Sequence, residues 1–415
     1  MTAARSAPSL RSGRRPETGG YNPRVKDVVI LSAARTPIGS FLGKLSTVSA
    51  PVLGAAAIRG ALERAGVHPG EVEQVLMGNV LSAGVGQAPA RQASLGAGIP
   101  DSVPCVTVSK VCGSGMRSVM DARNAIVAGE YEVAVAGGME SMSNAPYLLE
   151  RARTGYRMGN GALIDSMIKD GLWDPYNDKH MGGCAEMCVS KYSFSRGEQD
   201  DYSLESYRRA REASESKLSA QEVVPVEVPS KKGAQVVDTD EEPFAAPLEK
   251  IRTLKPAFQS DGTVTAANSS KINDGAAALV VCSAEKAEAR GWKPLARIVA
   301  SAGVAQAPEW FTTAPVGAIQ RLLEKTSLSI SDVDLFEINE AFAAVALAAI
   351  RDLHLDPAKV NVRGGAVALG HPIGASGARI LTTLVHSLRH AGKRRGIAAI
   401  CIGGGEATAM LVEAA

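Results

Sequence analysis

"SKVCGSGMRSV" (residues 109–119) puts a cysteine and two glycines where an apolar strand segment, "VPCVTVS" (103–109), gives way to a helix. The spacing predicts that helix from about Met116 to Ala128, with Gly129 closing it. A second stretch, "GASGARI" (374–380), is similar to "GSGMRSV" (113–119) and also opens a helix after a glycine-rich bend, from about Ser376 to His390. "VAVAGGMES" (133–141) and "ICIGGGEAT" (400–408) form another pair, each a strand running into glycines. Two local matches in the same order predict an internal duplication of two α/β halves.

The flanking segments fit that plan. "DVVILSAARTP" (27–37) and "QVLMGNVL" (74–81) read as buried strands, and "SAPVLGAAAIRGALERAG" (49–66) as a helix stopped by Gly66. In the second half "DLFEI" (334–338) reads as a strand and "EAFAAVALAAIRDL" (340–353) as a helix. "GIAAICIGGG" (396–405) is the closing strand. Such alternation implies a parallel or mixed sheet covered by helices. Residues 27–141 with about 273–293 make the N-terminal half, and 294–415 the C-terminal half. Residues 142–272 are richer in charge and turn signals but keep helical segments such as "DDYSLESYRRAREASES" (200–216). They read as an inserted loop domain.

A chain of 415 residues, 45% of them apolar, can bury a large core. Lys and Arg number 45 against 43 Asp and Glu, and aromatics are 4%. That balance argues against nucleic acid or a membrane surface as partner. The longest wholly apolar run, "AFAAVALAAI" (341–350), is too short to span a bilayer. The six cysteines contain no CxxC, and Cys184 and Cys188 have no histidine at ligand spacing, so no metal site is expected. Reduced thiols in a cytoplasmic enzyme are the expectation. Residues 1–26 carry six basic residues and one acidic. They read as a disordered tail, or as an organelle transit peptide, although Pro8, Pro16, Gly13, Gly19 and Gly20 oppose the amphipathic helix such a peptide needs.

A buried cysteine is usually just a small hydrophobe. At a helix start, however, Cys112 meets unpaired backbone N–H groups and the positive end of the helix dipole, which favour a thiolate. Gly113 and Gly115 allow close approach of a substrate, as in a nucleophile elbow. Among six histidines, His371 is the one ringed by glycines and fixed by a proline just before a helix. It is the candidate base.

At this point a resemblance becomes specific. "VCGSG" (111–115), "GGMESMSNAP" (137–146), "GTVTAANSSKINDGAAA" (262–278), "NEAFA" (339–343), "GGAVALGHPIGASGAR" (364–379) and "CIGGGEA" (401–407) resemble the thiolase family, in its order, from about residue 27 to the C-terminus. The resemblance implies a duplicated fold with a layered αβαβα core and an inserted loop domain that binds CoA. It implies an acetyl-CoA C-acetyltransferase, condensing two acetyl-CoA to acetoacetyl-CoA plus CoA or running the reverse thiolysis. "HMG" (180–182) points to short substrates, whereas "LEKIRTLKPAF" (248–258) looks more like a broad-range degradative 3-ketoacyl-CoA thiolase. Carried over by motif, Cys112 would hold the acyl group, His371 would take its proton, and Cys401 would move the α-carbon proton. Asn339 would position a water that forms one oxyanion hole with His371. The N–H groups of Cys112 and Gly403 would form the other. Ser270 and Ala266 would line the CoA tunnel, and His180, Met181 and Phe342 its acyl end. No cofactor is implied, because CoA is substrate and product. A homo-oligomer, dimer or tetramer, is expected.

The chain departs from the family at Ser109 and Met187, where Asn is usual, and lacks an Arg near Pro243 to hold the CoA nucleotide. Lys231, Lys232 and Arg252 are possible substitutes. Two rivals share the fold. A decarboxylating ketoacyl synthase has no second catalytic cysteine, so Cys401 speaks against it. A non-catalytic acyl-CoA or lipid carrier has no need of both Cys112 and His371.

Overall fold

Eight consecutive buried residues, VVILSAAR, form β1 (Val28–Arg35) at the centre of the molecule. A strand with no exposed face must be covered on both sides. In the computed structural model, which describes residues 26–231 and 233–415, the next main elements are α1 (Ala50–Ala65), β2 (Gln74–Gly78), α2 (Pro89–Gly96), β3 (Cys105–Val108), α3 (Ser114–Ala128) and β4 (Val133–Ser141). An excursion carries α4 (Met181–Tyr192) and α5 (Arg196–Glu215). The chain then returns in β5 (Asn273–Ser283), β6 (Ala296–Ala305), α6 (Ala314–Thr326), β7 (Leu335–Ile338), α7 (Ala343–Asp352), α8 (Ile373–His390), β8 (Arg395–Ile402) and β9 (Glu406–Ala414). The expected tail lies almost wholly outside the described residues.

One sheet runs β7-β8-β9-β6-β1-β5-β4-β2-β3, with the short pair Gly39–Ser40 added on β5. Its two halves repeat one pattern. β1-β5-β4 is antiparallel and β4-β2 parallel. β6-β9-β8 is likewise antiparallel and β8-β7 parallel. The halves meet where β1 pairs β6. α1 and α2 pack on the outer face of the first half and α6 and α7 on that of the second. Between the halves lies a third apolar cluster, built from α3, α8 and strand residues of both. This is the five-layered duplicated architecture that the resemblance implied. Among the described residues, 142–272 contribute no strand to the large sheet; their strands form small two-stranded pairs.

Three boundaries differ from expectation. α8 begins at Ile373, directly after Pro372, rather than at Ser376. α7 begins at Ala343, because Phe342 is extended and bridges to Ser269. "ICIGGGEAT" ends β8 at Ile402 as expected, but a further, unexpected strand follows: Gly404 and Gly405, at φ 91° and 83°, turn the chain into β9. In "VAVAGGMES" the glycines stay inside β4. A Cβ on Gly138 would lie 2.1 Å from the carbonyl oxygen of Gly374, so only glycine lets α8 approach. Among the described residues no helix is long and apolar enough to cross a membrane.

Candidate active site

Cys112 sits in a strained turn between β3 and α3. Val111, a β-branched residue, is held at φ 44°, a conformation that costs about 1–3 kcal/mol and marks functional sites more often than others. Ser114 closes the turn, its Oγ accepting from Lys110 N–H at 2.8 Å and donating to the Val111 carbonyl at 2.7 Å. A Cβ on Gly113 would lie 2.4 Å from Ile402 Cδ1, so a larger residue would force the Ile402 side chain to move.

His371 stands two residues before α8. Its backbone N–H donates to Asn273 Oδ1 at 2.9 Å, and its Nδ1 lies 2.6 Å from Ser376 Oγ. Ser376 has one hydroxyl proton and donates it to the Pro372 carbonyl at 2.9 Å. Nδ1 must therefore carry the ring proton, which leaves the Nε2 lone pair free. Nε2 has no protein partner. The Glu140 carboxylate ties this segment to the first half, accepting from Val80, Leu81 and Gly374 N–H groups and from Asn79 Nδ2. Burial pushes it up to about 7 against those hydrogen bonds. α3 and α8 then cross backbone against backbone at the repeated glycines. A Cβ on Gly377 would meet Met116 N at 2.5 Å, and one on Gly115 would meet Ala378 N at 2.8 Å. The duplicated motif thus brings the starts of both helices together.

Burial dominates the electrostatics. It pushes the Cys112 thiol up to about 11, opposed by hydrogen bonds to sulfur from the N–H groups of Gly403 and of Cys112 itself. The helix-start reading expected a favoured thiolate; desolvation outweighs the donors, so the resting group is a thiol. Burial, helped by the Arg379 charge, holds His371 down at about 3, hence neutral. Cys401, fully buried, is raised by burial and then by its neighbour Cys112.

A cavity of about 200 Å³ opens onto Cys112, His371 and Gly403. Ser270, His180, Met181 and Phe342 line it too. His180 accepts from Gly182 N–H at 3.0 Å, capping α4, and stacks on Phe258 at 4.9 Å. Phe342 meets Phe258 and Phe311 edge-on at 6.1 and 6.4 Å, closing the far wall. Cys401 and Asn339 are buried and are not among the side chains that line this cavity; among the described residues neither polar atom of the Asn339 side chain has a hydrogen-bond partner. Ala266 is not brought in: it is exposed, and its carbonyl accepts from Lys271 Nζ at 2.7 Å. Ser109 is exposed and Met187 half-buried, and neither lines the cavity. Arg252 pairs with Asp201 at the surface, and Lys231 is exposed; Lys232 lies outside the described residues. No Arg adjoins Pro243 in sequence, but Arg211 of α5 reaches its carbonyl at 2.6 Å.

Sequence reasoning missed Lys271, Phe258, Phe311, Ser376 and Glu140. Ser376 carried a signal, a hydroxyl one helical turn beyond the histidine. Glu140 carried none, since its partners lie in residues 79–81 and 374.

The family model for the thiolase N-terminal domain matches residues 28–285, and that for the thiolase C-terminal domain matches 292–414. The chain is 53% identical over 395 residues to acetyl-CoA acetyltransferase 2 of Arabidopsis thaliana, covering 94% of this chain and 98% of that protein. Among solved structures, the acetyl-CoA acetyltransferase of Bacillus anthracis superimposes with a TM-score of 0.93 at 42% identity, covering 95% and 100%. The Acat5 thiolase of Ascaris suum, in complex with coenzyme A, gives 0.89 at 46%, covering 94% and 100%.

Proposed function

The chain belongs to the thiolase family of acyltransferases, and from that premise we propose that it joins two acetyl-CoA into acetoacetyl-CoA plus CoA, and runs the reverse thiolysis, through an acetyl group on Cys112. One observation carries this reading: the Cys112 thiol, beneath the Gly403 N–H, shares a cavity with a neutral His371 whose Nε2 is free. Relatives named acetyl-CoA acetyltransferase support the acetyl preference, and the aromatic side chains of Phe258, Phe311 and Phe342 in a cavity of about 200 Å³ are consistent with a small acyl group.

Cys112 sulfur attacks the thioester carbonyl and its proton passes to His371 Nε2. The N–H groups of Cys112 and Gly403 receive the oxyanion, and CoA leaves as a thiol with the proton from His371. Cys401, in its thiolate form, then removes an α-proton from the second acetyl-CoA and afterwards returns it to the Cys112 thiolate that the condensation releases. The enolate oxygen is held by His371 and by a water on Asn339, and the carbanion displaces Cys112 from its acetyl group. In thiolysis Cys401 is the acid, a role that suits a thiol kept protonated by burial. CoA enters along residues 142–272 and the Ser270 loop. Arg211, which reaches the Pro243 carbonyl, and Arg252 are candidates for holding its nucleotide. Two copies pair along the sheet edge at β3, where Val106 is exposed; light scattering on the purified chain tests this.

The deciding experiment is thiolysis of acetoacetyl-CoA beside 3-ketooctanoyl-CoA, with mass spectrometry after incubation with acetyl-CoA. Turnover of the short substrate and an adduct of about 42 Da on the Cys112 peptide are expected. Faster turnover of the longer substrate favours the broad-range degradative reading. An adduct elsewhere, or no turnover of either, overturns the proposal.

A further inference from the structure

Lys271 has no part in the reaction steps above, yet it lines the same cavity. Its Nζ donates to three backbone carbonyls, of Ala266 at 2.7 Å, Ser269 at 3.0 Å and Val367 at 3.3 Å. An ammonium has three donors and no acceptor, so this set is complete. Glu242 and Glu340 act on it only from a distance, and the Tyr207 ring centroid lies 5.7 Å away. Glu340 is already held by Tyr202, Ser206, Asn361 and the Val367 N–H. Burial lowers Lys271 to about 8, with the two carboxylates opposing. A full charge hydrogen-bonded only to carbonyl dipoles, with the Tyr207 ring beyond them, resembles a monovalent cation in a carbonyl ring, here on a covalent tether.

The three carbonyls belong to two segments. Ala266 and Ser269 lie just before Ser270, whose N–H donates to the Ala341 carbonyl at 2.9 Å. Val367 lies in the single helical turn Ala366–Leu369, four residues before His371. The His371 N–H also approaches the Lys271 carbonyl, at 3.3 Å. Neutral, or absent, the side chain would leave carbonyls facing one another with nothing between them, and their dipoles repel.

We propose that Lys271 is a positioning residue: its ammonium, caged by the carbonyls of Ala266, Ser269 and Val367, locks the Ser270 loop onto the segment that presents His371, and a small free cation can replace it when the side chain is removed. The activity readout rests on the thiolase reading; a second readout does not.

Lys271→Ala is assayed for acetoacetyl-CoA thiolysis in tetramethylammonium chloride, then with ammonium or methylammonium chloride at the same ionic strength. A fall in kcat/KM of roughly 10²-fold is expected, since a displacement of about 1 Å in a positioned group can cost that much. Methylammonium is expected to restore the larger part while leaving the wild type unchanged. Lys271→Met, which fills the space and offers no charge, is expected to lose as much and recover nothing. No loss, a loss that no small cation repairs, or equal recovery in both variants overturns the proposal. Should the alanine variant not fold, the wild type supplies the answer through amide exchange corrected for intrinsic rate. Protection of residues 264–272 and 364–371 is expected to fall together as pH passes about 8, where burial has brought Lys271. Unchanged protection overturns the clamp. Absent thiolysis in the wild type sinks the reading of function and leaves this exchange test standing.

Discussion

Replacing Gly377 by alanine sets helix propensity against packing, with opposite signs. Gly377 lies within α8, and alanine is favoured over glycine in a helix interior by about 0.8–1.0 kcal/mol. At this position, however, the added Cβ would lie 2.5 Å from Met116 N and 2.8 Å from Met116 Cβ. Backbone nitrogen has no rotamer to escape into, so α3 and α8 must part by about 1 Å to reach ordinary contact. Overpacking costs about 1–3 kcal/mol and occasionally more, and contact with backbone belongs at the upper end. The net is a destabilisation of about 2 kcal/mol. Gly317 of α6 is the control: its Cβ would have only Val304 Cγ2, at 3.8 Å, within range. Gly317→Ala is expected to stabilise by up to about 1 kcal/mol. The assay is the midpoint of urea unfolding followed by circular dichroism, with thiolysis measured in parallel. Gly377→Ala is also expected to lose activity, because α3 and α8 begin beside Cys112 and His371. A Gly377→Ala protein as stable as the wild type, with full activity, refutes the argument that the two helices cross in backbone contact.

Three further outcomes are expected. Ser376→Ala removes the acceptor that fixes the His371 tautomer and is expected to cut kcat by roughly 10–100-fold, with circular dichroism unchanged; near-normal kcat removes Ser376 from the account. Cys401→Ala is expected to accept an acetyl group at Cys112 while thiolysis falls by roughly 10²–10⁴-fold, read by mass spectrometry beside steady-state rates; failure to acylate while folded ends the two-cysteine division. Because His371 is held at about 3 when folded, below its ordinary value of 6.5, the unfolded chain binds the extra proton first as pH falls, and stability drops below about pH 6.5. His371→Gln is therefore expected to lose less stability than the wild type between about pH 8 and about pH 5, judged by urea midpoints.

Local patterns read well wherever a single element decides them. Gly66 and Gly129 close α1 and α3 in the left-handed conformation, at φ 63° and 80°, where sequence placed the ends. The duplication was legible from two short matches, because the glycines that let α3 and α8 touch must recur in both halves. What escaped depends on distant residues. β9 went unread because "GGG" suggests the end of the repeat, whereas its left-handed glycines also turn β8 into a further strand. The sign of the Cys112 shift escaped because a motif shows the N–H groups around a sulfur and not the depth at which it is buried. Lys271 drew no reading from sequence, because one of its three carbonyls comes from residue 367.

The two-fold plan also explains why nucleophile and base come from different halves. Within one segment, a cysteine and a histidine close enough to exchange a proton would share one loop and move together. Here each is fixed by its own elbow: Cys112 by the strained Val111 and the Ser114 hydroxyl, His371 by Asn273 and Ser376. Their separation is then set by the helix crossing at Gly115 and Gly377, which is packing and not loop conformation. Burial raises the thiol and lowers the imidazole, so charge separation is disfavoured at rest. It becomes favourable only when a bound carbonyl can receive the electrons at sulfur and pass negative charge to its oxygen. The N–H groups of Cys112 and Gly403 are fixed in the position to meet that charge. A site of this kind keeps its thiol protonated, and so a weak nucleophile, until a thioester fills the cavity.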